Sequence, residues 1–91
     1  MTKHDKKVKA LANKYKKNGW KVKADITGFK TPTKIGKNNR IPDLEVTKNG
    51  RTRLVEVETP KSIKKDKPQQ STFRRSAAQK RLTSFRIEVT K

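Results

Sequence analysis

Four carboxylates in one short stretch are the residues best placed to do chemistry: Asp43, Glu45, Glu56 and Glu58. They lie in two alternating runs, Ile41-Pro42-Asp43-Leu44-Glu45-Val46-Thr47-Lys48 and Arg51-Thr52-Arg53-Leu54-Val55-Glu56-Val57-Glu58-Thr59, on either side of Asn49-Gly50. Asn-Gly between two such runs specifies a two-residue type I′ hairpin turn. The turn pairs Lys48 with Arg51, and counting back along both strands sets Leu44 opposite Val55 and Asp43 opposite Glu56. Opposed residues share a face, with Cβ atoms about 4.5–5.5 Å apart. Period-two alternation adds Glu45 and Glu58 to that face. Half of the chain's eight acids therefore converge.

Like charges opposed on a sheet repel, so something must compensate. One solution is salt-bridging to lysines and arginines, which would leave an ordinary solvated face. The other is a divalent cation held by Asp43 and Glu56, because hard oxygen ligands suit magnesium or manganese. A carboxylate-bound cation inside a basic protein is what phosphodiester hydrolysis needs. The surface holds the polyanion, while the cation activates water and neutralises charge developing on the phosphate.

The rest of the chain is strongly basic. Twenty-six Lys+Arg against eight Asp+Glu give a net charge of +18 over 91 residues. Residues 1–50 carry 14 basic and 4 acidic residues, and residues 51–91 carry 12 and 4, so the excess is not a tail. Such a field attracts phosphate polyanions in a salt-dependent way. The absence of cysteine rules out disulfides and thiolate metal sites, and a single histidine rules out a multi-histidine zinc site. The longest apolar run, Ala10-Leu11-Ala12, is far too short to span a membrane. The expectation is a cytoplasmic protein, nucleoid-associated or phage-encoded. Only 29% of residues are apolar, which leaves a folded nucleic-acid-binding domain or a disordered basic chain.

Periodicity favours the folded domain, a single one over residues 1–91. The spacing of Val8, Leu11, Ala12 and Tyr15 predicts a helix over 3–18, with Thr2 as N-cap and Asn18-Gly19 as its stop. Trp20 to Ile26 alternates as a strand with Trp20 on its apolar face, and residues 27–40 form a loop. After the hairpin, residues 60–68 read as a second loop between Pro60 and Pro68. Residues 69–82 read as a helix with Phe73, Ala77, Ala78 and Leu82 on one side. Phe85, Ile87 and Val89 alternate in a closing strand. The order is α-β-β-β-α-β, an α/β domain.

Ile41-Pro42-Asp43, a hairpin, and Val55-Glu56-Val57-Glu58 resemble the signature of the PD-(D/E)xK nuclease superfamily. The element order is similar to that superfamily's common core, as in archaeal Holliday-junction resolvases and restriction-endonuclease-like proteins, and the resemblance covers about residues 3–90. It implies a central mixed sheet flanked by helices, with Asp43 and Glu56 as carboxylates for magnesium or manganese and the backbone carbonyl of Val57 completing the metal shell. The superfamily's catalytic lysine falls at position 58, where this chain has Glu58. Some relatives use a glutamate there as ligand or general base; others that lost the lysine lost activity or supply it from elsewhere, for which Lys61 and Lys30 are the candidates here. The first helix often adds an acid, which points to Asp5, although an acid there equally complements the helix dipole. Asp25 is placed to approach the site or to form a structural salt bridge.

The leading expectation is a small metal-dependent endodeoxyribonuclease with Asp43, Glu56 and Glu58 as catalytic residues. Lys30, Lys34, Lys37, Arg40, Lys61 and Arg74 are its candidate nucleic-acid contacts. Gln69, Gln70 and Gln79 are candidates for phosphate or water contact, against the plainer reading of a solvated helix face. Trp20 and Phe29 could stack on bases, with core packing the alternative for Trp20, and His4 is expected to be exposed. DNA is the expected partner, and a small core suggests a homodimer. Two alternatives stand: a non-catalytic nucleic-acid-binding protein on the same fold, and a basic ribosomal or nucleoid structural protein.

Overall fold

The computed structural model describes residues 2–90. The elements run α1 (Lys3–Lys17), β1 (Lys21–Ala24), β2 (Leu44–Lys48), β3 (Arg51–Glu58), α2 (Ser62–Lys65), α3 (Lys67–Gln79) and β4 (Thr83–Val89). They form a small α/β domain around one four-stranded mixed sheet of order β1-β2-β3-β4. The first three strands are antiparallel neighbours and β4 runs parallel to β3. No helix among the described residues is long and apolar enough to cross a membrane.

Both ends of α1 are built by local chemistry. Thr2 Oγ1 accepts the Asp5 N–H at 3.0 Å, an N-cap. At the other end Trp20 N–H donates to Tyr15 C=O and Gly19 N–H to Lys16 C=O, with Gly19 at φ +87°. This is a Schellman stop, and its usual apolar contact is the edge-to-face pair of Trp20 on Tyr15. The motif places Trp20 just before β1, which is shorter than the alternation suggested. Asp25 onward leaves the strand, and Ile26 packs on the core from a bend.

The hairpin forms as expected, with Asn49 at φ +53° and Gly50 at φ +78°, both positive as a type I′ turn requires. Its register pairs Lys48 with Arg51 and Leu44 with Val55. One face of the sheet (Leu44, Val46, Val55 and Val57) buries Val8, Leu11 and Ala12 of α1. The other holds Leu54 against Phe73 of α3, Ile35 and Phe85. The carboxylates belong to this second face and to its open end.

The second half of the chain corrects two expectations. Residues 60–68 are not a plain loop: Thr59 and Ser62 cap each other reciprocally, through Ser62 N–H to Thr59 Oγ1 and Thr59 N–H to Ser62 Oγ, and α2 follows. The next helix ends at Gln79, so Leu82 is not on its apolar side. Leu82 sits in the connection to β4 at φ +58° and is 52% exposed. Ala78 also faces solvent. Phe73 and Ala77 carry the packing of this helix.

Candidate active site

The site grows from a break in strand pairing. Even-numbered residues of β3 bond to the β4 side: Thr52 N–H donates to Leu82 C=O, and Glu58 C=O accepts the Thr90 N–H. Odd-numbered residues therefore face β2, and the partner that would oppose Val57 is Pro42, which has no N–H. Val57 N–H turns instead to Asp43 Oδ2 at 2.8 Å. A residue's N–H and C=O leave a strand on the same side. The Val57 carbonyl thus faces the Asp43 side with no strand donor opposite it.

Asp43 is held from three directions. Besides Val57, His4 Nε2 lies 3.2 Å from its Oδ2, and its own N–H donates to Glu56 Oε1 at 3.0 Å. The other ring nitrogen of His4 is 3.3 Å from Asp5 Oδ1. Both nitrogens face carboxylates, which suits an imidazolium with two donors. His4 is therefore half-buried at the site rather than free in solvent, which corrects the sequence expectation. No local pattern marks it; only the packing of α1 across the sheet brings its first turn to the end of β2.

Glu56 is 2% exposed. Its Oε2 accepts from Gln69 Nε2 at 3.0 Å, and Gln69 Oε1 accepts from Arg40 at 3.3 Å. The Arg40 charge reaches Glu56 only through an amide, and Arg40 Nε is buried without a partner. Glu58 is also 2% exposed, with one oxygen on the Ser62 hydroxyl and Oε1 buried with no donor. Glu45 leaves the cluster: it accepts the Thr33 N–H at 2.8 Å and its hydroxyl at 3.3 Å. The face expected to carry four acids brings together three.

The electrostatics follow from burial and crowding. Desolvation, then the Asp43 charge, pushes Glu56 up to about 8. Desolvation also raises Asp43 above the usual carboxylate range, although the Val57 N–H and His4 oppose it; nearby Asp25 adds to the rise. Glu58 is raised by burial and by Asp66, against the Ser62 hydrogen bond. Burial pulls the His4 imidazole down, but Asp43 and Asp5 outweigh it and lift it. Among the described residues none of these acids forms an ion pair with lysine or arginine; only Glu88, with Arg86, does so. The salt-bridged face is thus not what the chain builds at Asp43, Glu56 and Glu58.

A hard cation would find oxygen donors here: the Asp43 and Glu56 carboxylates, the Val57 carbonyl and the orphaned Glu58 Oε1. Among the described residues no three His, Cys, Asp or Glu side chains stand as a ready-made ligand set. The main-chain oxygen would therefore have to take part.

The other candidate residues are spread over the surface. Lys34 and Lys37 line a groove with Arg75 and Lys80 between the 33–40 loop and α3. Gly36 lets that loop lie on α3, since a Cβ there would meet Thr72 Cγ2 at 2.8 Å. Lys30 lines a different groove, beside β1. Arg74 sits over the Phe85 ring, and Lys61 is exposed before α2. Gln70 turns inward to the Ile63 carbonyl, while Gln79 lines the α3 groove. Ser62 and Asp66 were not foreseen, although Glu58 and Ser62 stand four residues apart. Comparisons with protein families, curated proteins and solved structures find no match for this chain.

Proposed function

We propose that the chain is a divalent-cation-dependent nuclease that hydrolyses DNA phosphodiester bonds on a restriction-endonuclease-like core. The observation that carries this reading is the burial of Glu56 and Glu58 beside half-buried Asp43, with no lysine or arginine ion pair to any of the three among the described residues, in a chain of net charge +18. Apolar residues of similar volume would have been the cheaper filling for a purely structural core. Asp43, Glu56 and the Val57 carbonyl would hold magnesium or manganese, which supplies charge neutralisation at the phosphate and a more acidic water. His4 and the Val57 N–H orient the Asp43 carboxylate, and Gln69 orients Glu56. Glu58 falls at the position of the superfamily's lysine, and its unbonded oxygen would serve either as a further ligand or as the base that takes the proton of the attacking water. The groove bearing Lys34, Lys37, Arg75 and Lys80 holds the DNA backbone.

A second reading rests on the anchoring of Glu58. Its carboxylate is tied to Ser62 beside Asp66, which suits a structural role and therefore a nucleic-acid-binding protein that has lost catalysis. A nicking assay on supercoiled plasmid separates the two. With manganese or magnesium, wild type is expected to nick, while EDTA, Asp43→Ala and Glu56→Ala abolish nicking. Retardation of the plasmid without cleavage, equal in wild type and both variants, would establish the second reading.

A further inference from the structure

A groove of about 640 Å³ lies beside the edge strand β1, outside the cluster of Asp43, Glu56 and Glu58. Its apolar lining comes from Trp20, Val22 and Phe29, and its cations are Lys16, Lys21, Lys23 and Lys30. The chain has only five Phe, Trp and Tyr side chains, and two of them are committed here, partly exposed rather than sealed in the core. Neither is loose. Trp20 is fixed by the helix stop and by Tyr15 at a centroid distance of 5.4 Å, with the Arg53 guanidinium over its ring. Phe29 packs on the core from the loop after β1, where Ala24 N–H bonds to Lys30 C=O. The one acid in the groove, Glu45, is already engaged by Thr33, so its charge does not claim any of the four lysines.

Fixed aromatic surfaces ringed by cations meet the two needs of a single nucleic-acid strand: stacking for unpaired bases and charge for the phosphates between them. A blunt duplex keeps its bases stacked inside and offers this groove only phosphates. We propose that the groove at Trp20 and Phe29 binds unpaired nucleotides. The substrate class follows from this together with the proposed nuclease activity, on which this step alone rests: duplexes that carry a single-stranded segment, such as a flap, gap or branch.

Trp20 is the chain's only tryptophan, so its emission reports on the groove directly. The experiment titrates the intact chain, in EDTA, with three probes: oligothymidylate, an abasic strand of equal phosphate number, and a blunt duplex. Because EDTA removes cleavage from the readout, failure here leaves the nuclease reading standing, and failure of nicking leaves this one standing. Oligothymidylate is expected to quench Trp20 and to bind more tightly than the abasic strand. Phe29→Ala is expected to weaken oligothymidylate binding about five- to a hundredfold and leave duplex binding unchanged. Lys23→Gln, an exposed change in β1 that spares the core, is expected to lower the salt slope for single strands by about 0.7. Equal affinity for the abasic strand, unquenched emission at saturation, or equal losses for strand and duplex in Phe29→Ala would each overturn the proposal.

Discussion

Stability should fall as the solution is taken from mildly acidic to neutral pH, the reverse of the usual behaviour of a protein held by carboxylate salt bridges. Glu56 is pushed up to about 8 from 4.5, so the fold holds this proton where the unfolded chain has released it. A group raised in this way contributes its full stability below 4.5 and loses it as pH rises through about 8. The slope between those limits approaches 1.36 kcal/mol per pH unit, and at 2% exposure solvent screens little of it. From pH 5.5 to 7.5 the loss is about 2–3 kcal/mol, or about 10–20 °C in Tm for a domain of this length. Asp43, Glu58 and His4 are raised as well, so wherever they titrate their contribution has the same sign.

The assay is thermal denaturation followed by circular dichroism across pH 5.5–7.5, for wild type and Glu56→Gln. The amide keeps an oxygen for the Asp43 N–H and has no charge to lose, so the variant's curve should be flatter and should lie above wild type at pH 7.5. Manganese should restore wild-type Tm most strongly at the upper end, where the carboxylates are ionised, by about 2.7 kcal/mol at a hundredfold excess over Kd. A wild-type Tm that is constant or rises over this range would refute the reasoning. So would a Glu56→Gln curve parallel to wild type, which would place the titrating groups elsewhere.

Three further outcomes follow from the carboxylate site and the groove on α3. Asp43→Asn retains an acceptor for the Val57 N–H and removes the charge facing Glu56, so apo protein at pH 8 should melt higher than wild type. Asp43→Ala leaves that N–H unpaired and should be about 1–3 kcal/mol less stable than Asp43→Asn; equal melting of the two would dismiss the Val57 contact. Changing Lys34, Lys37, Arg75 and Lys80 singly to glutamine should each lower the salt slope of duplex binding by about 0.9 in fluorescence anisotropy. Unchanged slopes in all four would remove that groove from the DNA path.

How far the sequence carries the fold depends on whether each signal is local. Asn49-Gly50 sets turn type, register and shared faces together, and Thr2 and Asn18-Gly19 set the ends of α1. Helix α3 is harder because its apolar period continues to Leu82 in the sequence, while the chain breaks at Gln79 to make the parallel connection. The site divides in the same way. Asp43, Glu56 and Glu58 follow from hairpin register, whereas His4 arrives by packing of one element on another. Glu45 has the right parity for the cluster but is drawn off by Thr33, a contact decided by how the loop folds back.

That diverted glutamate bears on how the proposed binding and chemistry would be joined. The connection between β1 and β2 puts Phe29 and Lys30 in the groove beside β1, Lys34 and Lys37 in the groove on α3, and Arg40 and Asp43 at the carboxylates. Glu45 holds Thr33 between the two grooves, and the Ile35–Arg40 bridge closes the loop on the far side. A strand bound in either groove therefore contacts the same connection that positions Asp43 against Glu56. An ordered connection of this length is uncommon as mere linkage in so small a domain. Here it lets the two proposed nucleic-acid grooves and one acidic centre share a single scaffold. Glu45 acts as its fastening, and among the described residues Asp43, Glu56 and Glu58 form no ion pair with lysine or arginine.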